Sequence, residues 1–271
     1  MRLLALLFLP AFAGCALDGD ASGTRQSTLD LDVRGMYGQR LNRPSLQKIK
    51  AIEFGVVPAN PFREELRELR TYRLKALVWL GDYENSTCSF EKSDAWVRER
   101  VSSIAFSPVV VAYYLADEPY ASECPRAPSQ IQRRSDLIKS IDRSTPTFLV
   151  VNTWNGVKSY PYEDFAGTTD IMGLDVYPCS HSEGCKFMKI SEAIAQAEVD
   201  KVPRYWAILQ AFGDEYYRVP TTSELREQFR LWSSSRMEGY LVFSWNWGED
   251  PDTWLKNRQE LLRVLEQENL P

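Results

Sequence analysis

Residues 109–120 read V-V-V-A-Y-Y-L-A-D-E-P-Y, a β-branched and aromatic run that ends abruptly in two acids and a proline. An unbroken apolar run of this length marks a strand buried on both faces, the kind found in parallel sheets. Pro119 has no N–H to give to a ladder, so it stops the strand. Strict alternation puts Val110, Ala112, Tyr114, Ala116 and Glu118 on one face. The small alanines leave room on that face, and Glu118 is carried to its C-terminal end.

Seven further segments have the same character: 33–37, 51–57, 75–80, 147–151, 171–176, 204–210 and 240–244. Helical patterns lie between and after them at 61–72, 93–105, 129–141, 191–199, 222–235 and 253–268. Pro61 opens the first of these, with Leu66 and Leu69 spaced by three, and Ser93 stands where the second needs a cap. Weaker helical segments follow the first and fifth strands. Eight strand–helix alternations over residues 31–271 predict an α/β chain folded as a single (β/α)8 TIM barrel. An open doubly wound sheet is the alternative, but the Gly-rich phosphate fingerprint it often carries is absent.

The 271 residues are 44% hydrophobic and 25% charged, an ordinary globular composition. A formal charge of −5, from 32 Lys and Arg against 37 Asp and Glu, argues against nucleic acid as a partner. His181 is the only histidine in the sequence. Two-His metal centres and H-E-x-x-H helices are therefore excluded, and no G-x-S-x-G elbow offers a serine nucleophile. What remains is carboxylate chemistry, with no cofactor expected and a monomer as the working assembly.

Residues 3–12, L-L-A-L-L-F-L-P-A-F, form an apolar run after Arg2, too short to span a bilayer and suited to a signal peptide. The following F-A-G-C resembles the bacterial lipoprotein signal. That resemblance implies a signal peptide over 1–14, lipidation of Cys15, and a membrane partner reached through the lipid, with secretion as the alternative. The Gly-, Ser- and Thr-rich stretch to residue 30 reads as a flexible tether. In an exported chain the other four cysteines suggest disulfides, and of three connectivities Cys88–Cys124 with Cys179–Cys185 is expected. A metal held by Cys179, His181 and Cys185 is the competing reading, and it lacks a fourth ligand.

In such a barrel the active site gathers at the C-terminal ends of the strands. Those ends carry Tyr37, Gln39 and Arg40; Asn60; Trp79, Asp82 and Tyr83; Asp117 and Glu118; Asn152 and Trp154; Asp175 and Tyr177; Gln210 and Phe212; and Trp245, Asn246 and Trp247. Acids, amides and large aromatics are the side chains that bind sugars, whose hydroxyls need donors and acceptors and whose C–H faces stack on rings. Tyr37, Trp79, Asn152, Trp154, Tyr177, Gln210, Trp245 and Trp247 are the expected substrate contacts. Alternation along the sixth strand turns Gly173, Asp175 and Tyr177 inward and Met172, Leu174 and Val176 outward.

The A-D-E-P of residues 116–119, together with D-I-M-G-L-D-V-Y-P (170–178) and G-Y-L-V-F-S-W-N-W-G (239–248), resembles the superfamily of βα-barrel glycoside hydrolases. The resemblance implies that Glu118, at the end of the fourth strand, is the proton donor of a glycosidase acting on an envelope or extracellular polysaccharide. Many retaining members carry a nucleophilic Glu at the end of the seventh strand, where this chain has Gln210. Two arrangements accommodate that departure. Asp175 can serve as the second carboxylate, its spacing from Glu118 deciding between retention and inversion. Alternatively Asp117 and Glu118 work as an adjacent pair, as in β-hexosaminidase-like families, where the 2-acetamido group of the substrate attacks. Strict alternation turns Asp117 away from Glu118, against this second arrangement. A non-catalytic saccharide-binding lipoprotein on the same fold is the rival reading.

Overall fold

The computed structural model describes residues 31, 33–154 and 156–269. The signal peptide, Cys15 and the tether, over 1–14 and 15–30, lie outside the described residues.

Eight parallel strands close a barrel in chain order. They are β1 (Val33–Met36), β2 (Val56–Ala59), β3 (Lys75–Trp79), β4 (Val110–Asp117), β5 (Thr147–Asn152), β6 (Ile171–Asp175), β7 (Tyr205–Gln210) and β8 (Gly239–Phe243). β1 pairs with both β2 and β8, which completes the ring. Around it lie α1 (Arg43–Ala51), α2 (Arg63–Thr71), α3 (Asp94–Ile104), α4 (Ala127–Lys139), α5 (Met188–Val199), α6 (Thr222–Trp232) and α7 (Gln259–Asn269).

Local chemistry sets these boundaries. The Asn42 side chain caps α1 by accepting from the Ser45 N–H, and Ser93 does the same for α3 from Trp96. Thr221 and Glu224 form a reciprocal capping box on α6. Two expectations are corrected. The second strand begins at Val56 rather than 51, because α1 runs on to Ala51 with Leu46 and Ile49 buried, and Glu53 then turns the chain through a left-handed φ of 64°. Between β5 and β6 there is no α-helix among the described residues, only the 3₁₀ turn Tyr162–Asp164, in a stretch bracketed by Gly156 and Gly167 at positive φ.

The barrel holds two apolar layers. Leu77, Tyr114, Phe148, Trp206, Ile208 and Leu241 fill the interior, while Val57, Val78, Leu149, Leu174 and Leu209 pack outward beneath the helices. Gly173 lets the interior close. A Cβ there would stand 2.8 Å from Phe148 Cζ and 2.9 Å from Val150 Cγ2. Met172, Leu174 and Val176 face outward as the alternation of β6 requires.

β4 departs from its pattern. Its pairing shifts register against β3 between Val110 and Ala112, and against β5 between Tyr114 and Ala116. Val110 and Ala116 therefore join the outer layer, with Tyr113 and Leu115, and of the expected inward residues before Glu118 only Ala112 and Tyr114 line the interior. Such irregularities re-aim the side chains that follow them.

Candidate active site

The C-terminal mouth holds a cavity of about 590 Å³ lined by Asp117, Glu118 and Asp175 among aromatic walls. Two features of the backbone bring adjacent acids to one space. The register shift at residues 114–116 turns Asp117 inward, where its Oδ1 accepts a 2.7 Å hydrogen bond from the Tyr114 hydroxyl. Glu118 then takes a left-handed φ of 47°, a conformation uncommon outside Gly, Asn and Asp, and this bends its side chain back into the same cavity.

The loop after β3 holds that bend from both sides. Asp82 Oδ1 accepts from the N–H of Asp117 at 2.9 Å and of Tyr83 at 2.7 Å. Asn85 donates from Nδ2 to the Glu118 carbonyl at 3.0 Å and accepts from the Tyr120 N–H at 2.8 Å. The Cys88–Cys124 disulfide ties this loop to the segment that follows Glu118. Cys179 and Cys185 form the second disulfide, so the competing metal reading has no thiolate there, and His181 Nε2 meets the Asp214 carbonyl instead.

The three carboxyls crowd one another. Burial, then the neighbouring Glu118 charge, push Asp117 up to about 7 despite the Tyr114 hydrogen bond. Asp175, 6% exposed, is driven well above the carboxylate range first by burial and then by the Glu118 charge. Tyr177 lies beside it and pulls in the opposite direction, while Asp175 Oδ1 is buried with no hydrogen-bond partner. Burial and mutual repulsion thus disfavour the charged forms of both Asp117 and Asp175.

Of the expected contacts, Tyr37, Asn152, Trp154, Tyr177 and Trp247 line this cavity. Trp154 is half exposed at the rim, and Asn152 donates to the Tyr120 hydroxyl at 3.2 Å. Trp79 lines a neighbouring cavity instead. Two expectations are corrected. Gln210 is fully buried and lines neither cavity. Its Oε1 accepts from Cys179 N–H, and its Nε2 donates to the carbonyls of Cys179 and Arg218, so it staples the loops after β6 and β7. Trp245 is 1% exposed in the outer layer, with the Lys48 ammonium over its ring. Tyr83 is also buried, its hydroxyl bonded to Gln130.

The sequence did not single out Tyr120, Tyr217 or Phe243 as cavity walls, nor Asn85 as a clamp. Tyr120, Tyr217 and Asn85 depend on loop positions that periodicity does not encode, and Phe243 ends β8. Asp214 also lines the cavity, but its Oδ1 accepts from the N–H groups of Tyr216 and Tyr217, which fixes it to its own turn.

No protein-family description matches the sequence, and no curated protein resembles it significantly. Solved structures do. The endo-β-1,4-mannanase of Thermotoga petrophila aligns over 88% of this chain and 76% of its own, with TM-score 0.61 and 11% identity. A β-glucuronidase of Faecalibacterium prausnitzii aligns over 88% of this chain and 49% of its own, with TM-score 0.64 and 12% identity. A β-galactosidase of Bacillus circulans sp. alkalophilus aligns over 87% and 55%, with TM-score 0.65 and 8% identity. This chain therefore spans about half the length of the latter two, and the likeness establishes the closed (β/α)8 barrel fold.

Proposed function

We propose that this protein is a glycoside hydrolase, and that the observation carrying this reading is the meeting of Asp117, Glu118 and Asp175 in one aromatic-walled cavity at the barrel mouth. Glu118 gives a proton to the leaving oxygen as the bond to the sugar breaks. Asp175 lines the same cavity, its charged form disfavoured by burial and by the neighbouring Glu118.

A carboxyl whose charged form is disfavoured by burial and by a neighbouring acid is a poor nucleophile and a poor base. Asp175 therefore does not suit the role of nucleophile or water-activating base. Asp117, turned inward and held by Tyr114, suits the other arrangement. It orients a 2-acetamido group of the substrate, whose carbonyl oxygen attacks the anomeric carbon as Glu118 protonates the leaving group. This route needs no acid at the position of Gln210, and it directs the enzyme to amino-sugar glycans. The leader favours a lipid-anchored protein of the bacterial envelope, acting on a polysaccharide nearby.

The engaged state of Gln210 is the one observation that favours the rival, a saccharide-binding protein without turnover. Reducing-end release from chitin-derived oligomers and bacterial exopolysaccharides, compared between the wild type and Glu118→Gln, tests the reading. Release that collapses in the variant supports it. Binding without release by either protein supports the rival.

A further inference from the structure

A second cavity, of about 1020 Å³, opens beside the first over the ends of β1, β2 and β3. Tyr37 and Tyr114 line both, so the two spaces adjoin along these rings. Its chemistry differs from that of the acid cavity. Glu65 is bonded to Asn60, Glu68 to Arg43, and Glu64 to Arg67, so its carboxyls are all engaged. What it offers are the Trp79 indole, set edge-on to Tyr114 at 4.7 Å, and the Phe62 ring, 42% exposed. Beside them stand the Arg40 guanidinium, which makes no ion pair among the described residues, and the Asn60 amide.

Flat rings for C–H faces, with a guanidinium and an amide for hydroxyls, are the means of holding a sugar without cutting it. We propose that this second cavity is a saccharide-binding site continuous with the carboxyl cavity, so that a glycan chain lies across the mouth and is cut internally. The inference rests on the glycosidase reading and goes beyond it, because an enzyme that trims single terminal units has no use for the space over β1–β3. The ligand class is a chain of several neutral or amino-sugar units. The bond broken lies at Glu118, and the units beyond it extend over Tyr37 onto Trp79 and Phe62.

The test compares chain lengths. Using the full-length protein, kcat/KM is measured on chitin-, mannan- and cellulose-derived oligosaccharides of two to six units, and affinity for the same ladder is measured on Glu118→Gln. Rates and affinities are expected to climb with length and to level off only beyond about four units, with early products of intermediate size. Trp79→Ala and, separately, Phe62→Ala are expected to cut the advantage of six units over two by about tenfold. Two variants guard against one that misfolds. A ladder that is flat beyond two units, release of single units only, or an unchanged long-to-short ratio in both variants overturns the second site and leaves the glycosidase reading standing. No binding and no cleavage at any length overturns both.

Discussion

Two buried aspartates at opposite ends of the barrel show how one fold uses the same side chain in opposite ways. Asp142, in the turn before β5, is surrounded by donors. It accepts from the Phe106 N–H and the Tyr113 hydroxyl at 3.0 Å, and from the Ser144 and Thr145 hydroxyls at 2.8 Å. Burial alone pushes this carboxyl up, but those hydrogen bonds outweigh it and bring it down to about 2. Asp175, at the end of β6, faces other acids, and one of its oxygens is left bare. The closed end of the barrel is satisfied and adds stability, whereas the mouth keeps an electrostatic cost that chemistry can use.

The largest expected effect lies at the mouth. Glu118→Gln should lower turnover by about 10²–10⁴-fold, as loss of a general acid does, with the melting temperature held or raised in a thermal scan. A variant that loses activity and stability together would erase the contrast between the two ends.

Asp142→Ala should do the reverse. It leaves several buried donors unpaired, and urea denaturation should show a loss of about 3 kcal/mol. Turnover per folded molecule should stay at the wild-type level.

Asn85→Ala should fall between these. Freed from its clamp, the backbone at Glu118 should misplace the acid and lower kcat by about tenfold, since a small misplacement can cost far more. KM is expected to hold, a split that mere loosening of the loop would not produce.

The smallest effect is a pH dependence with opposite signs at the two ends. Asp142 is depressed, so its stabilisation is complete above an unfolded value near ~4 and is lost as pH falls toward about 2. Asp117 is raised, so its contribution is complete below ~4 and is lost as pH rises through about 7. Asp117→Asn should therefore be more stable than the wild type at pH 8 and gain nothing at pH 4. Equal gains at both pH values would show that the mouth stores no such cost.

Much of this was legible in the chain. The alternation of apolar runs and capped helical segments prescribed the closed parallel barrel, because each strand type and each cap is a local matter of side-chain shape and hydrogen bonding. The inward set Gly173, Asp175 and Tyr177 followed from a period of two. The cysteine pairing followed from loop neighbourhood, and both disulfides stand as expected.

Contacts between distant segments decided the rest. Two register shifts in β4, arising where its neighbours pair out of step, moved Ala116 outward and Asp117 inward, and so set the adjacent acids side by side. Gln210 and Trp245 have the composition of a sugar site, yet loops 31 residues away in sequence and a packed outer layer claimed them. Asn85 carried no signal of its own until the fold laid it against Glu118. The sequence by itself determined the barrel and the ring of residues at its mouth, since periodicity and capping act within a few residues. Which of that ring face the cavity, and with what charge, was settled only in three dimensions, where pairing register, burial and the nearness of one acid to another are properties of the assembled sheet.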